Sequence, residues 1–165
     1  MTTEPIEDQV TLAQMLTCDR VNLDVQVENW QDAVRECGKL LLQSDAITPE
    51  YIEAMIRTAE ELGPYFVIAE GIAMPHASPD SGAKKTALSL VRLSAPIEFG
   101  NPYNDPVRLV FGLAAVDHKK HIQALQVLAE LIMDKEKISL LFSLKDAKSL
   151  CGVISQFEVS HHGKH

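Results

Sequence analysis

Residues 63–78 read GPYFVIAEGIAMPHAS: an apolar, strand-like run meets a glycine, then a short apolar bridge, then Pro75 and His76. A loop of this composition presents an imidazole rigidly. Pro75 fixes its own φ and biases Met74 away from the helical region, which sets the direction in which His76 leaves the chain. Ala77 and Ser78 are small and leave room beside the ring for a bulky group. On chemistry alone, a single histidine in a proline-containing loop is more simply read as a hydrogen-bonded structural residue than as a reactive one.

Working outward, the chain before this stretch is first extended and then helical. Val21, Leu23, Val25 and Val27 alternate with polar residues, the period of a half-buried strand over 21–27. Trp30, Ala33, Val34, Cys37, Leu40 and Leu41 then recur at helical spacing through 29–44, with Asn29 as the N-cap. Thr48, Pro49 and Glu50 open a second helix that Gly63 and Pro64 close, giving 48–62. Beyond 63 the runs 65–68, 86–93 and 107–115 are apolar and bounded by Gly, Pro, Asn and Asp, which reads as strands. From Asp117 the helical period returns through Ile122, Leu125, Leu128, Ala129 and Ile132. A short helix at 138–142 and a final amphipathic helix over 145–157 follow. Helices on both sides of a group of strands predict an α/β fold, a mixed sheet of about four to five strands flanked by helices on both faces.

The 165 residues suit one domain, predicted over 10–159, with loose segments at 1–9 and 160–165. His161, His162 and His165 in the tail offer no fixed coordination geometry. A net charge of −8 disfavours polyanions, and no basic stripe offsets it, so nucleic acid is excluded as a partner. Apolar stretches such as 109–116 are about half the roughly 20 residues of a spanning helix, so no membrane insertion is expected. The first ten residues carry Glu4, Glu7 and Asp8 and lack a secretory pattern, which predicts a cytoplasmic protein. Cys18, Cys37 and Cys151 are odd in number and widely spaced, and are expected to be reduced and buried.

GIAMPH at 71–76 resembles the active-site signature of the enzyme IIA components of the sugar phosphotransferase system, mannitol and fructose class. GPYFVIA, GIAMPHA, Pro79, Gly82, KKT at 84–86, NDPV at 104–107 and AAVD at 114–117 together resemble the ascorbate-type branch. The similarity spans roughly residues 12–157. It implies a three-layer fold and a free-standing phosphocarrier without cofactor or metal. Phospho-HPr would supply a phosphoryl group to His76, usually on Nε2, and a cysteine of enzyme IIB would accept it. The membrane permease IIC would be an indirect partner, and a homodimer is left open. The sugar implied is ascorbate or a related acid or polyol.

His121 resembles the family's second histidine, which follows a strand, opens a helix and precedes an apolar residue, here Ile122; His118 is the competing choice. In such a site a second imidazole supplies a donor to the phosphoryl oxygens, and the helix starting near Asp117 adds free amides. Ser78, Lys84 and Lys85 are further candidate contacts, each with a plain alternative as a turn residue or solvated charge. Arg57 is the nearest counterpart of an arginine that some branches place close to the phosphoryl group. Partner docking predicts a shallow, partly apolar surface around His76 involving Met74 and Phe99. Two other readings compete: a phosphorylation-dependent regulatory module retaining the same histidine, and a zinc site on His76, His118 and His121 with Glu70 or Asp117 as base.

Overall fold

A computed structural model of the chain describes residues 10–157; the segments 1–9 and 160–165, expected to be loose, lie outside the described residues. The chain runs α1 (Leu12–Met15), β1 (Val21–Val25), α2 (Trp30–Gln43), α3 (Pro49–Leu62), β2 (Val67–Ala69), β3 (Ile72–Ala73), β4 (Ala87–Ile97), β5 (Val107–Ala114), α4 (His118–Met133), α5 (Lys135–Ser143) and α6 (Ala147–Gln156). The five strands form one mixed sheet in the order β1-β4-β5-β3-β2. Two of its pairs, β1 with β4 and β3 with β5, are parallel.

Side-chain alternation along the central strands divides the core in two. Val91, Val110 and Ala114 join a cluster with Val34, Cys37 and Leu41 of α2 and Met55 of α3. Leu88, Leu90, Leu109, Phe111 and Leu113 join the opposite cluster with α1, α4, α5 and α6. This is the predicted three-layer α/β arrangement, because a sheet with two apolar faces needs a helical layer on each. Each fully buried Leu, Ile or Phe contributes about 1.5–3 kcal/mol. At Gly112 a Cβ would lie 2.9 Å from that of Cys37 and 2.6 Å from Ser89 Oγ, so glycine is what lets α2 settle on β5.

Most predicted elements appear within a few residues of their expected bounds. Asn29 caps α2 by accepting from the Asp32 amide, as its side chain suggests. Thr48 precedes α3 without a side-chain capping bond; its amide instead donates to Gly82 O. The strand expected at 65–68 begins later: Pro64–Phe66 form a 3-10 turn and pairing starts at Val67. β3 was not predicted, being a two-residue strand inside the GIAMPH stretch. Gly71 makes it by taking φ +75 at the turn from β2, and its carbonyl accepts from the Arg108 and Leu109 amides.

The cysteine expectation needs correction. Cys18 and Cys151 are joined in a disulfide with a Cα–Cα distance of 5.6 Å, while Cys37 is free and buried. Their separation of 133 residues argued against pairing, but the 3-10 turn Cys18–Arg20 and α6 pack together, and spatial distance rather than sequence spacing decides.

Candidate active site

β3 and β5 run parallel, and the chain leaving β3 keeps that course: His76 bridges in parallel to Leu113, and the Leu113 amide donates to Pro75 O over 3.1 Å. β5 ends one residue later and α4 begins at His118, with Asp117 as N-cap accepting from the Lys120 amide. His76 and the first turn of α4 are therefore delivered to the same end of the sheet by neighbouring strands. The His76 and His121 ring centroids are 5.3 Å apart and inclined by 57°. His118 stacks on His121 with ring centroids 6.4 Å apart and planes inclined by 14°, and is itself exposed. Thus His121, the residue chosen from sequence, is the histidine brought against His76.

The His76 ring is partly exposed and its orientation is fixed from within the loop. Its Nδ1 lies 2.9 Å from Met74 O. A carbonyl can only accept, so Nδ1 carries a proton, and in the neutral ring Nε2 is then the nitrogen with the lone pair. His121 is held below the usual histidine value of 6.5, first by burial and then by the imidazoles of His76 and His118. Both causes favour the neutral ring, and its Nδ1 is buried without a hydrogen-bond partner. A proton on Nδ1 would be buried without an acceptor, so the neutral ring is better served by carrying it on Nε2, where it can be donated.

The other candidates have partners or settings of their own. Ser78 Oγ bonds Asp80 and Ser81 within the following turn. Lys84 pairs with Asp45, and Lys85 donates to Ser44 O. Arg57 faces solvent from α3, whereas Thr58, one residue on, lines a small open cleft of ≈ 130 Å³ with Leu62, Tyr65, Phe66, Pro75 and His76. Among the described residues, no group of three or more His, Cys, Asp or Glu is placed to hold a metal ion.

The apolar surface expected at Met74 and Phe99 is made by other residues. Met74 is only 5% exposed and belongs to the core beneath α4; Phe99 is packed against Trp30 and Phe66. Exposed apolar side chains do flank the two histidines: Leu62 at 59% and Tyr65 at 81% border His76, while Val116 and Ile122 flank the start of α4. Tyr51 also escaped the sequence reading. It is fully buried, and its hydroxyl meets Ala77 and Leu113 on either side of the His76 bridge. Its one sequence signal is a hydroxyl on the apolar face of α3.

Residues 14–157 match the family described as Phosphoenolpyruvate-dependent sugar phosphotransferase system, EIIA 2. The ascorbate-specific PTS system EIIA component of Escherichia coli (strain K12) is 37% identical over 137 residues, covering 82% of this chain and 89% of that protein. The solution structure of the mannitol-specific cryptic phosphotransferase enzyme IIA CmtB from Escherichia coli superimposes with a TM-score of 0.80 at 34% identity, covering 90% of this chain and all of that one. A complex of enzyme IIA and phosphorylated enzyme IIB for mannitol, from the same organism, contains a chain matching with a TM-score of 0.74 at 25% identity, over 84% of this chain and 96% of that chain. Two parallel strands that bring His76, its Nδ1 held by a carbonyl, against His121 belong here to a phosphotransferase component: the chain is a member of the EIIA 2 family of the phosphoenolpyruvate-dependent sugar phosphotransferase system.

Proposed function

We propose that the chain is a cytoplasmic phosphocarrier that takes a phosphoryl group from phospho-HPr onto His76 Nε2 and passes it to a cysteine of a cognate enzyme IIB. The observation that carries this reading is the His76 Nδ1–Met74 O bond, which leaves Nε2 as the unprotonated nitrogen of a partly exposed ring inside GIAMPH. In the first transfer the Nε2 lone pair forms a bond to phosphorus as the donor's histidine N–P bond breaks, its electron pair returning to the donor ring. In the second, the IIB thiolate forms an S–P bond as the His76 N–P bond breaks. Little covalent machinery is required, so positioning and stabilisation of the phosphoryl oxygens do most of the work. His121 supplies a donor, and the start of α4 contributes free amides and its positive dipole end.

Enzyme IIB as acceptor is supported by the resemblance to a IIA seen in complex with phosphorylated IIB. Ascorbate as the sugar is supported by the resemblance to ascorbate-specific EIIA components. The test is incubation with enzyme I, HPr and phosphoenolpyruvate, followed by mass spectrometry and then addition of IIB. One acid-labile, alkali-stable phosphoryl group on His76 that IIB removes is the expected result. Modification of a different side chain overturns the assignment, and modification of His76 without onward transfer points to the regulatory alternative.

A further inference from the structure

Tyr51 is fully buried on α3, and its hydroxyl has three hydrogen-bonding neighbours, all of them backbone. It accepts from the Ala77 amide at 3.1 Å and shares its own proton between Ala77 O at 3.0 Å and Leu113 O at 2.9 Å. Ala77 directly follows His76, and Leu113 is the residue to which His76 bridges. On the other side of His76, Pro75 O is held by the Leu113 amide. The backbone on both sides of the histidine is thus tied to the end of β5, once directly and once through the phenol.

We infer that Tyr51 is a positioning residue for His76: its hydroxyl locks the backbone of residues 75–77 so that His76 Nδ1 stays bonded to Met74 O and Nε2 stays unprotonated. The inference rests on the reading of His76 as the phosphoryl acceptor. The Nδ1–Met74 O bond spans two residues and exists only while the chain from 74 to 76 keeps its present turn. If that turn relaxes, the ring rotates and either nitrogen takes the proton, which removes the nucleophile from a fraction of the molecules. Phenylalanine in this place fills the same volume but leaves the Ala77 amide buried and unpaired. Burial pushes the Tyr51 phenol up to about 12, so the clamp holds its proton across the working range of the protein.

The experiment compares Tyr51→Phe with Ser89→Ala, which deletes another buried hydroxyl, bonded to Cys37 O away from the site. Nitrogen-15 NMR of the imidazoles reads the His76 tautomer, and kinetics with phospho-HPr separate kcat from KM. For Tyr51→Phe we expect a mixed tautomer at His76 and a kcat lowered roughly tenfold to a hundredfold, the scale of a misplaced reacting group. KM should stay within about twofold, since docking is not what the clamp controls. Ser89→Ala should change neither. Amide exchange in the unaltered protein gives a reading that needs no variant: the Ala77 amide should be as protected as those of β5. The tautomer and exchange readings stand even if the protein accepts no phosphoryl group, so failure of the functional reading is distinguishable from failure of this one. A single Nδ1–H tautomer retained in Tyr51→Phe, the same change in Ser89→Ala, or an Ala77 amide exchanging like an exposed loop overturns the inference.

Discussion

His76 and His121 are the same residue type in contact with each other, and their surroundings suit them to the different roles proposed for them. His76 has an acceptor for Nδ1 and its ring is partly exposed; the Nδ1 of His121 is buried with no partner. His76→Ala removes the proposed nucleophile and is expected to accept no phosphoryl group in the mass-spectrometric assay. His121→Gln removes the proposed donor to the transferring group, so kcat should fall by about 10²-fold with the fold retained, a typical cost of losing one preorganised donor. Unchanged kinetics would assign the donor role to another group. The depressed pKa of His121 also has a consequence for stability. The unfolded chain binds a proton at this residue near pH 6.5 while the folded chain resists it, so the contribution is complete above 6.5 and is lost as pH falls through the lowered folded value. Urea denaturation of the protein and of His121→Gln at pH 8 and pH 5 should therefore show the advantage of the native histidine shrinking at the lower pH. A constant difference would mean that the imidazole titrates alike in both states.

At the scale of elements, the end of α3 with the 3-10 turn that follows it, and the start of α4 with the residues leading into it, present Leu62, Tyr65, Val116 and Ile122 around the paired imidazoles. Tyr65→Ser should raise the KM for phospho-HPr roughly tenfold, equivalent to about 1.4 kcal/mol, with kcat little changed. An unaltered KM would move the docking surface away from this turn. Met74→Asp, by contrast, places a carboxylate in the core and should unfold the protein. This exchange of roles shows what the sequence could convey. The long helices α2 and α3 were legible because their periodicity is sustained over 14 residues each, and β4 and β5 because each is an apolar run of eight or more residues bounded by turn formers, whereas the four-residue α1 was not read. β3, with two residues, carries no period, and a Met beside a reactive histidine reads equally as surface or core until its strand is placed. His121 was identifiable from resemblance, but its contact with His76 depends on β3 and β5 being parallel neighbours. Tyr51 was not identifiable, because its partners lie 26 and 62 residues away. Much of the motif agreement proves to be scaffold. Asp105 of NDPV accepts from the amides of Phe99, Gly100 and Asn101, and Thr86 of KKT accepts from that of Val116 just before α4.

For the whole molecule, the sheet joins two half-cores, and the Cys18–Cys151 bridge ties the segment entering β1 to the last helix described. Closing a loop of 133 residues restricts the unfolded chain, and the chain-entropy estimate for that length is about 5 kcal/mol, with about 2–4 kcal/mol typical of measured bridges. A domain holding roughly 5–15 kcal/mol in total should stay folded without it. None of the groups that fix His76, namely Met74, Tyr51, Ala77 and Leu113, belongs to either bridged segment. Stability and activity should therefore separate. Adding a reductant, or replacing the pair by Cys18→Ser with Cys151→Ser, should lower the melting temperature by roughly 4–16 °C. Acceptance of the phosphoryl group at 25 °C should be unchanged. In the reducing cytoplasm proposed for this protein the thiol form would then be the working one, and the bridge a reserve of stability formed on oxidation. An identical melting temperature with and without reductant would show that the two thiols are unpaired in the purified protein. Loss of phosphoryl acceptance on reduction would instead show that the half-core carrying α4 transmits the bridge's constraint to His121, a coupling for which the hydrogen bonds around His76 provide no route.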